Sequence, residues 1–215
     1  NNTVLGASAM QTNTTGSNNV AIGYQAMYTS DSTTFNTAIG YQAMYKGTTG
    51  DYNTAIGYQA MYSNQTGTQN NAFGYQALYN STGNDNTAMG QRAGYSTTSG
   101  TDNSAFGSTA LYSNTTGAYN TALGRDALRL NTTASNNTAV GYQAAYTNST
   151  GTFATAVGSE ALKVSTADYN TAVGGYAGRA TTTGAANSFF GTGAGISNTT
   201  GSYNTAIGRS ALDAN

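Results

Sequence analysis

The chain has no cysteine, no histidine and no proline, and only 7% of its 215 residues carry a charge. Without cysteine there is no disulfide framework and no thiolate metal site. Without histidine there is no Ser-His-Asp triad, and the usual partner of a nucleophilic serine or cysteine is missing. A formal charge of -1 offers nucleic acid no basic stripe and gives an anionic membrane no electrostatic pull, so neither is an expected partner. The apolar runs are a few residues long, far short of the roughly 20 needed to span a bilayer, and no membrane insertion is expected. Asn1-Asn2-Thr3-Val4 lacks the basic and apolar regions of a signal peptide, so if the native protein is exported its signal is expected outside this segment. The absence of proline agrees with a backbone whose N–H groups are mostly engaged in ladders.

What the chain has in abundance is glycine, tyrosine and small polar residues: 28 Gly, 17 Tyr and an aromatic content of 11%. That is too aromatic and too weakly charged for a disordered segment. Glycine recurs at positions 6, 23, 40, 57, 74, 90, 107, 124, 141, 158, 174, 191 and 208, a spacing of 17 residues ten times and 16 twice. The two short steps, Gly74 to Gly90 and Gly158 to Gly174, each lose one loop residue, where length change is best tolerated. The unit reads Asn-Thr-Ala-Ile-Gly-Tyr-Gln-Ala-Leu-Tyr followed by a loop such as Ser-Asn-Thr-Thr-Gly, nearly intact at 53–67 and 103–117. Thirteen copies make residues 1–215 a single repeat array, read as a segment of a longer fibre whose ends continue or stack end to end.

A position that recurs once per coil becomes a continuous rank along a solenoid. Asn stands four residues before the glycine in twelve of thirteen copies, with Ala154 the exception, and predicts a stacked amide ladder. Thr follows in nine copies, with Ser104 and Ser188 in two more, and then Ala in eleven. The residue just before the glycine is always apolar, from Leu5 and Ile22 to Phe190 and Ile207, and is read as the clearest core rank. Ala is found three residues after the glycine in all thirteen copies, which implies a size limit from close packing. Met or Leu follows it in nine, a second apolar rank interrupted by Gly94, Ala145, Gly178 and Gly195.

Asn-Thr-Ala-Ile has the length and β-branched content of a short strand. For Tyr-Gln-Ala-Leu-Tyr a second strand is favoured, with a helical turn as the alternative, since period cannot arbitrate over five residues. The expected fold is therefore all-β: a β-solenoid, or parallel β-roll, of about thirteen 17-residue coils roughly 60 Å long. Burying one large side chain contributes roughly 1.5–3 kcal/mol, so a coil should not fold alone and needs its neighbours.

The Asn-Thr-Ala-Ile-Gly core with Ala three residues on resembles the head repeat of trimeric autotransporter adhesins. The full fifteen-residue unit is even more similar to repeats of phage and bacterial tail-fibre-like proteins, many of which end in an endosialidase-type chaperone. The resemblance covers essentially the whole chain; the period of 17 is longer than that of the adhesin head, and no chaperone or coiled-coil pattern occurs in these residues. It implies a homotrimeric, extracellular, cell-surface or virion fibre whose partners are copies of itself and a cell-surface glycan or protein receptor.

Chemistry-bearing residues are sparse. The eight acids, Asp31, Asp51, Asp85, Asp102, Asp126, Glu160, Asp168 and Asp213, are scattered and read as solvated surface, and Arg125, Asp126 and Arg129 as a surface or inter-chain ion pair. Gly191-Thr-Gly193-Ala-Gly195 lacks the lysine of a phosphate loop and lies in register with every other repeat. No enzymatic activity, cofactor or metal is expected. The candidate binding residues are the paired tyrosines Tyr24 and Tyr28, Tyr41 and Tyr45, Tyr58 and Tyr62, Tyr75 and Tyr79, and Tyr142 and Tyr146, read either as a surface for glycan or protein or as a structural stack or inter-subunit seam. Asn-x-Thr/Ser sequons at Asn13, Asn64, Asn80, Asn114, Asn131, Asn148 and Asn198 would permit glycan attachment, or are plain turn chemistry. A repetitive adhesive fibre is the leading function; the alternative is an ice-binding solenoid using the Thr rank, which Val20 and Asn71 interrupt.

Overall fold

A computed structural model describes residues 1–213. Each repeat contributes one three-residue strand, from Thr3–Leu5 to Thr205–Ile207, and the thirteen strands pair in parallel in chain order as one sheet. Register follows the repeat: Thr37 faces Thr54, Ala38 faces Ala55 and Ile39 faces Ile56. The shortened loops leave it intact, since Asn71 still pairs with Thr87 and Thr155 with Thr171.

The second half of the coil is not a strand, which corrects the two-stranded expectation. Its Gln and Met positions adopt left-handed backbone, with φ of 53° at Gln25 and 51° at Met27, so the chain curls instead of extending. The ladder nevertheless continues through it. Gln42 N–H donates to Tyr24 O at 2.9 Å in the preceding coil, whereas Met44 N–H and Lys46 N–H donate forward to Ala60 O at 3.0 Å and Tyr62 O at 2.9 Å. The repeat glycine turns the corner between the halves. At Gly40, φ is 137° and a Cβ would lie 2.4 Å from the carbonyl oxygen of Gly57, so both backbone conformation and axial contact exclude any side chain.

The core is thinner than the sequence reading placed it. Asn, preceding each strand, turns inward, and strand alternation then sends Thr out, Ala in and the next residue out. The aliphatic rank before the glycine therefore lies on the outer face of the sheet, and Met89 and Leu123 remain 48% and 49% exposed. The buried ranks are the strand alanine, the alanine after the glycine and the Met or Leu beside it: Ala38, Ala43 and Met44 are all at 0% exposure. The expected close packing of the all-Ala rank is thus met inside the coil.

Polar ranks close the interior. Asn36, 1% exposed, accepts from Asn53 N–H at 2.7 Å and donates to Gly50 O at 2.9 Å. Further along, the amides also bond one another directly, as Asn103 does to Asn86 at 3.0 Å. The amides of this rank thereby bridge from one coil to the next, as Asn53 N–H to Asn36 and Asn70 N–H to Asn53 do, which makes neighbouring coils interdependent.

Candidate functional site

Around one coil, the sheet face lies between two surfaces of different chemistry. On one side, past the glycine corner, run the two tyrosine ranks with the Gln rank between them. The first holds Tyr24, Tyr41, Tyr58 and Tyr75, stacked at 5.3, 5.1 and 5.2 Å between ring centroids. The second runs from Tyr28 through Tyr45, Tyr62, Tyr79 and Tyr95 to Tyr112 at 5.0–5.1 Å, with the rings within 11° of parallel. Arg129 then takes the place of a ring, its guanidinium 5.8 Å from Tyr112 and 5.9 Å from Tyr146, and donates to the Tyr146 hydroxyl at 3.1 Å. Gln25, Gln42, Gln59 and Gln76 form an amide ladder of 2.8–2.9 Å bonds alongside, ended by Arg92.

The ten sequence-predicted tyrosines thus share one surface. Tyr24, Tyr41, Tyr58, Tyr75 and Tyr142 are 40–47% exposed, and the second rank, with Tyr28, Tyr45, Tyr62, Tyr79 and Tyr146, is half-buried. Because the stacked rings cover one another's faces, solvent reaches mainly edges and hydroxyls. Within the stacked runs Tyr24–Tyr75 and Tyr28–Tyr112, stacking of a sugar on a ring face is closed, and what they offer a ligand is a regular row of hydrogen-bonding groups, whereas Tyr142, 45% exposed, stacks on no neighbouring ring among the described residues. Burial pushes the Tyr45 phenol above its usual value, with the neighbouring phenols of Tyr62, Tyr28, Tyr24 and Tyr41 adding to it; Tyr79 is raised in the same way.

The sequons fare differently. Asn64, Asn114, Asn131, Asn148 and Asn198 are at most 1% exposed, and their amides are engaged inside the coil, Asn64 accepting from Gly67 N–H at 2.8 Å and donating back to its carbonyl at 3.2 Å. A glycan on these nitrogens would displace those bonds, so they are turn-forming residues in the folded coil. Asn13 makes the same turn bonds in the first coil, partly buried, and of these seven only Asn80 lies on the outer side of the turn.

Three features escaped the sequence reading. The outer aliphatic rank was assigned to the core. A third aromatic rank, Phe35, Tyr52, Tyr119, Phe153, Tyr169 and Tyr203, stands 51–85% exposed on the side of the sheet opposite the tyrosines; aligning the residue just before each Asn would have found it. Glu160 joins Lys163 at 3.2 Å and Arg179 at 2.8 Å, a cluster split across two coils. The expected Arg125, Asp126 and Arg129 group does form within the chain, at 3.4 and 3.5 Å, but Asp126 is not the solvated surface acid expected: it is 5% exposed and accepts from Thr109 Oγ1 at 2.6 Å. Where the tyrosine ranks give out, Lys163, Val164, Arg179, Ala180 and Ile196 line an open recess of about 340 Å³. Among the described residues, no three His, Cys, Asp or Glu side chains group to hold a metal ion, and no helix is long and apolar enough to cross a membrane.

No protein-family model matches the chain, and neither the curated proteins nor the solved structures yield a match.

Proposed function

We propose that this chain is a non-enzymatic structural and adhesive fibre segment, working outside the cell or on a virion, that self-associates and presents a repetitive surface for attachment. The observation that carries this reading is the outer aliphatic rank. Thirteen apolar side chains, among them Phe73, Met89, Phe106 and Phe190, stand in register on one continuous parallel sheet, a surface that sheets of this kind ordinarily cover. With the Thr rank beside it the face is roughly 60 Å long and roughly 10 Å wide, on the order of 600 Å² per chain, close to what one partner contributes to a standard interface. A homotrimer is the stoichiometry that the tail-fibre and adhesin resemblance implies. The tyrosine and glutamine ranks flank that face, and the part of them that the neighbouring chains leave open would serve as a multivalent attachment surface for a glycan or protein receptor, many weak contacts acting together.

Ice binding draws less support, because the outward Thr rank is paired with bulky side chains of unequal size rather than with a second Thr rank. The test of the fibre reading is sedimentation of the whole chain. Assembly into three-chain particles is expected, and Phe73→Ser with Phe106→Ser should shift it to monomer without loss of β-sheet circular dichroism. A wild-type chain that stays monomeric at high micromolar concentration would overturn the reading.

A further inference from the structure

The charges of this chain are sorted around the coil. All seven cations, Lys46, Arg92, Arg125, Arg129, Lys163, Arg179 and Arg209, lie within the six residues that follow a repeat glycine, on the tyrosine side of the sheet. Only Asp126, Glu160 and Asp213 among the acids share that flank, leaving it at +4. The other five, Asp31, Asp51, Asp85, Asp102 and Asp168, lie in the loop or beside the third aromatic rank, an edge that holds no cation and carries -5. Together these give the net -1 of the chain. The basic flank and the acidic edge leave the sheet face on opposite sides.

We propose that neighbouring copies pack parallel to one another, with the basic flank of each against the acidic edge of the next; this rests on the self-association reading above. Turning the outer sheet faces toward a common axis along the fibre brings the flank of one copy beside the edge of its neighbour at every contact, the arrangement of a closed ring. An antiparallel pair joined by the same faces would instead set flank against flank and edge against edge, so the charge division selects against it.

The axial levels agree. In register, Lys46 lies within a third of a coil of the neighbour's Asp51, Arg92 between the levels of its Asp85 and Asp102, and Lys163 close to its Asp168. Lys46 and Arg92 make no ion pair within the described residues, and neither do Asp85 and Asp102. The recess lined by Lys163, Val164, Arg179, Ala180 and Ile196 falls at the level of the neighbour's Asp168 and Tyr169, and Tyr169 stands 60% exposed. That places a carboxylate and an aromatic ring opposite an apolar floor and two cations that share the single carboxylate of Glu160, a group with a net charge of +1.

The chain has no cysteine, so Thr15→Cys gives one spin label per copy near one end. In the assembled protein, parallel packing brings the labels within short range of one another, whereas antiparallel packing separates them by roughly 50 Å. Lys46→Glu with Arg92→Glu should weaken association at least tenfold, and so should Asp85→Lys with Asp102→Lys; all four changes in one chain should recover most of it. Tyr169→Ala should weaken association several-fold while leaving the circular dichroism of the diluted chain unchanged. A monomeric wild type removes self-association and this proposal together. An assembly whose labels lie far apart, or whose four-charge variant fails to recover, removes the parallel ionic pairing alone, and an inert Tyr169→Ala removes the seating of that ring.

Discussion

A Cβ added to Gly195 would lie 2.5 Å from Cε1 of Phe189, because that ring occupies the space where other coils hold a Met or Leu side chain. Phe189 replaces the strand alanine and is fully buried. Its ring also reaches the preceding coil, where a Cβ on Gly178 would come within 2.8 Å of Cδ2. One large residue in one rank is thus matched by two glycines in another, and interior volume is conserved over two adjacent coils.

This coupling predicts a non-additive cycle. Phe189→Ala should cost about 3–5 kcal/mol through the cavity left behind, and Gly195→Leu alone about 1–3 kcal/mol or more through overpacking. Phe189→Ala combined with Gly178→Leu and Gly195→Leu restores the consensus interior and should melt within a few degrees of wild type. Additive losses, read by thermal denaturation, would show that the three residues do not share one space.

How much of this was legible in the sequence follows from which signals are local. Period, strand position, parallel stacking and the size limit at Ala43 and its equivalents all follow from a repeat read in register. The outer rank did not, because an invariably apolar position such as Ile39 looks the same whether it fills a core or faces a neighbouring chain. The inward turn of Asn36 decides the matter, and that turn depends on the bond to Gly50 O rather than on hydrophobicity. The second strand failed for a related reason: Gln42 and Met44, at φ of 52° and 51°, occupy left-handed backbone held by interactions with adjacent coils, which intrinsic propensity does not reveal. The tyrosine ranks were legible as ranks; that their faces are mutually covered needed the ring spacing.

Thr97 marks a place where the repeat is under-satisfied. It stands where Asn64 and Asn114 stand in other coils, is 1% exposed, and its hydroxyl has no hydrogen-bond partner. Asn114 donates to Gly117 O at 2.9 Å across the same turn. Thr97→Asn should reach Gly100 in the same way and stabilise the chain by about 0.5–1.5 kcal/mol, a rise of a few degrees in melting temperature. An unchanged or lower melting temperature would mean that the longer side chain does not fit that turn.

The tyrosine ranks predict an alkaline limit to stability. Burial first, and the neighbouring phenols next, hold Tyr45 and Tyr79 above the ordinary phenol value, so these groups stay neutral in the fold at a pH where the unfolded chain already ionises. Their contribution is complete below the unfolded pKa of about 10 and is lost as pH rises through the folded values. The sign is fixed by the protons: above about pH 10 the folded state binds more of them than the unfolded state, so stability falls with rising pH. Melting temperature should therefore be flat from neutral pH to about 9 and fall beyond about 10. The phenolate absorbance of the folded chain should include a component that titrates later than free tyrosine. Tyr45→Phe with Tyr79→Phe should flatten the alkaline fall and remove part of the late component. A double variant whose alkaline melting profile matches wild type would show that these two phenols do not set the limit.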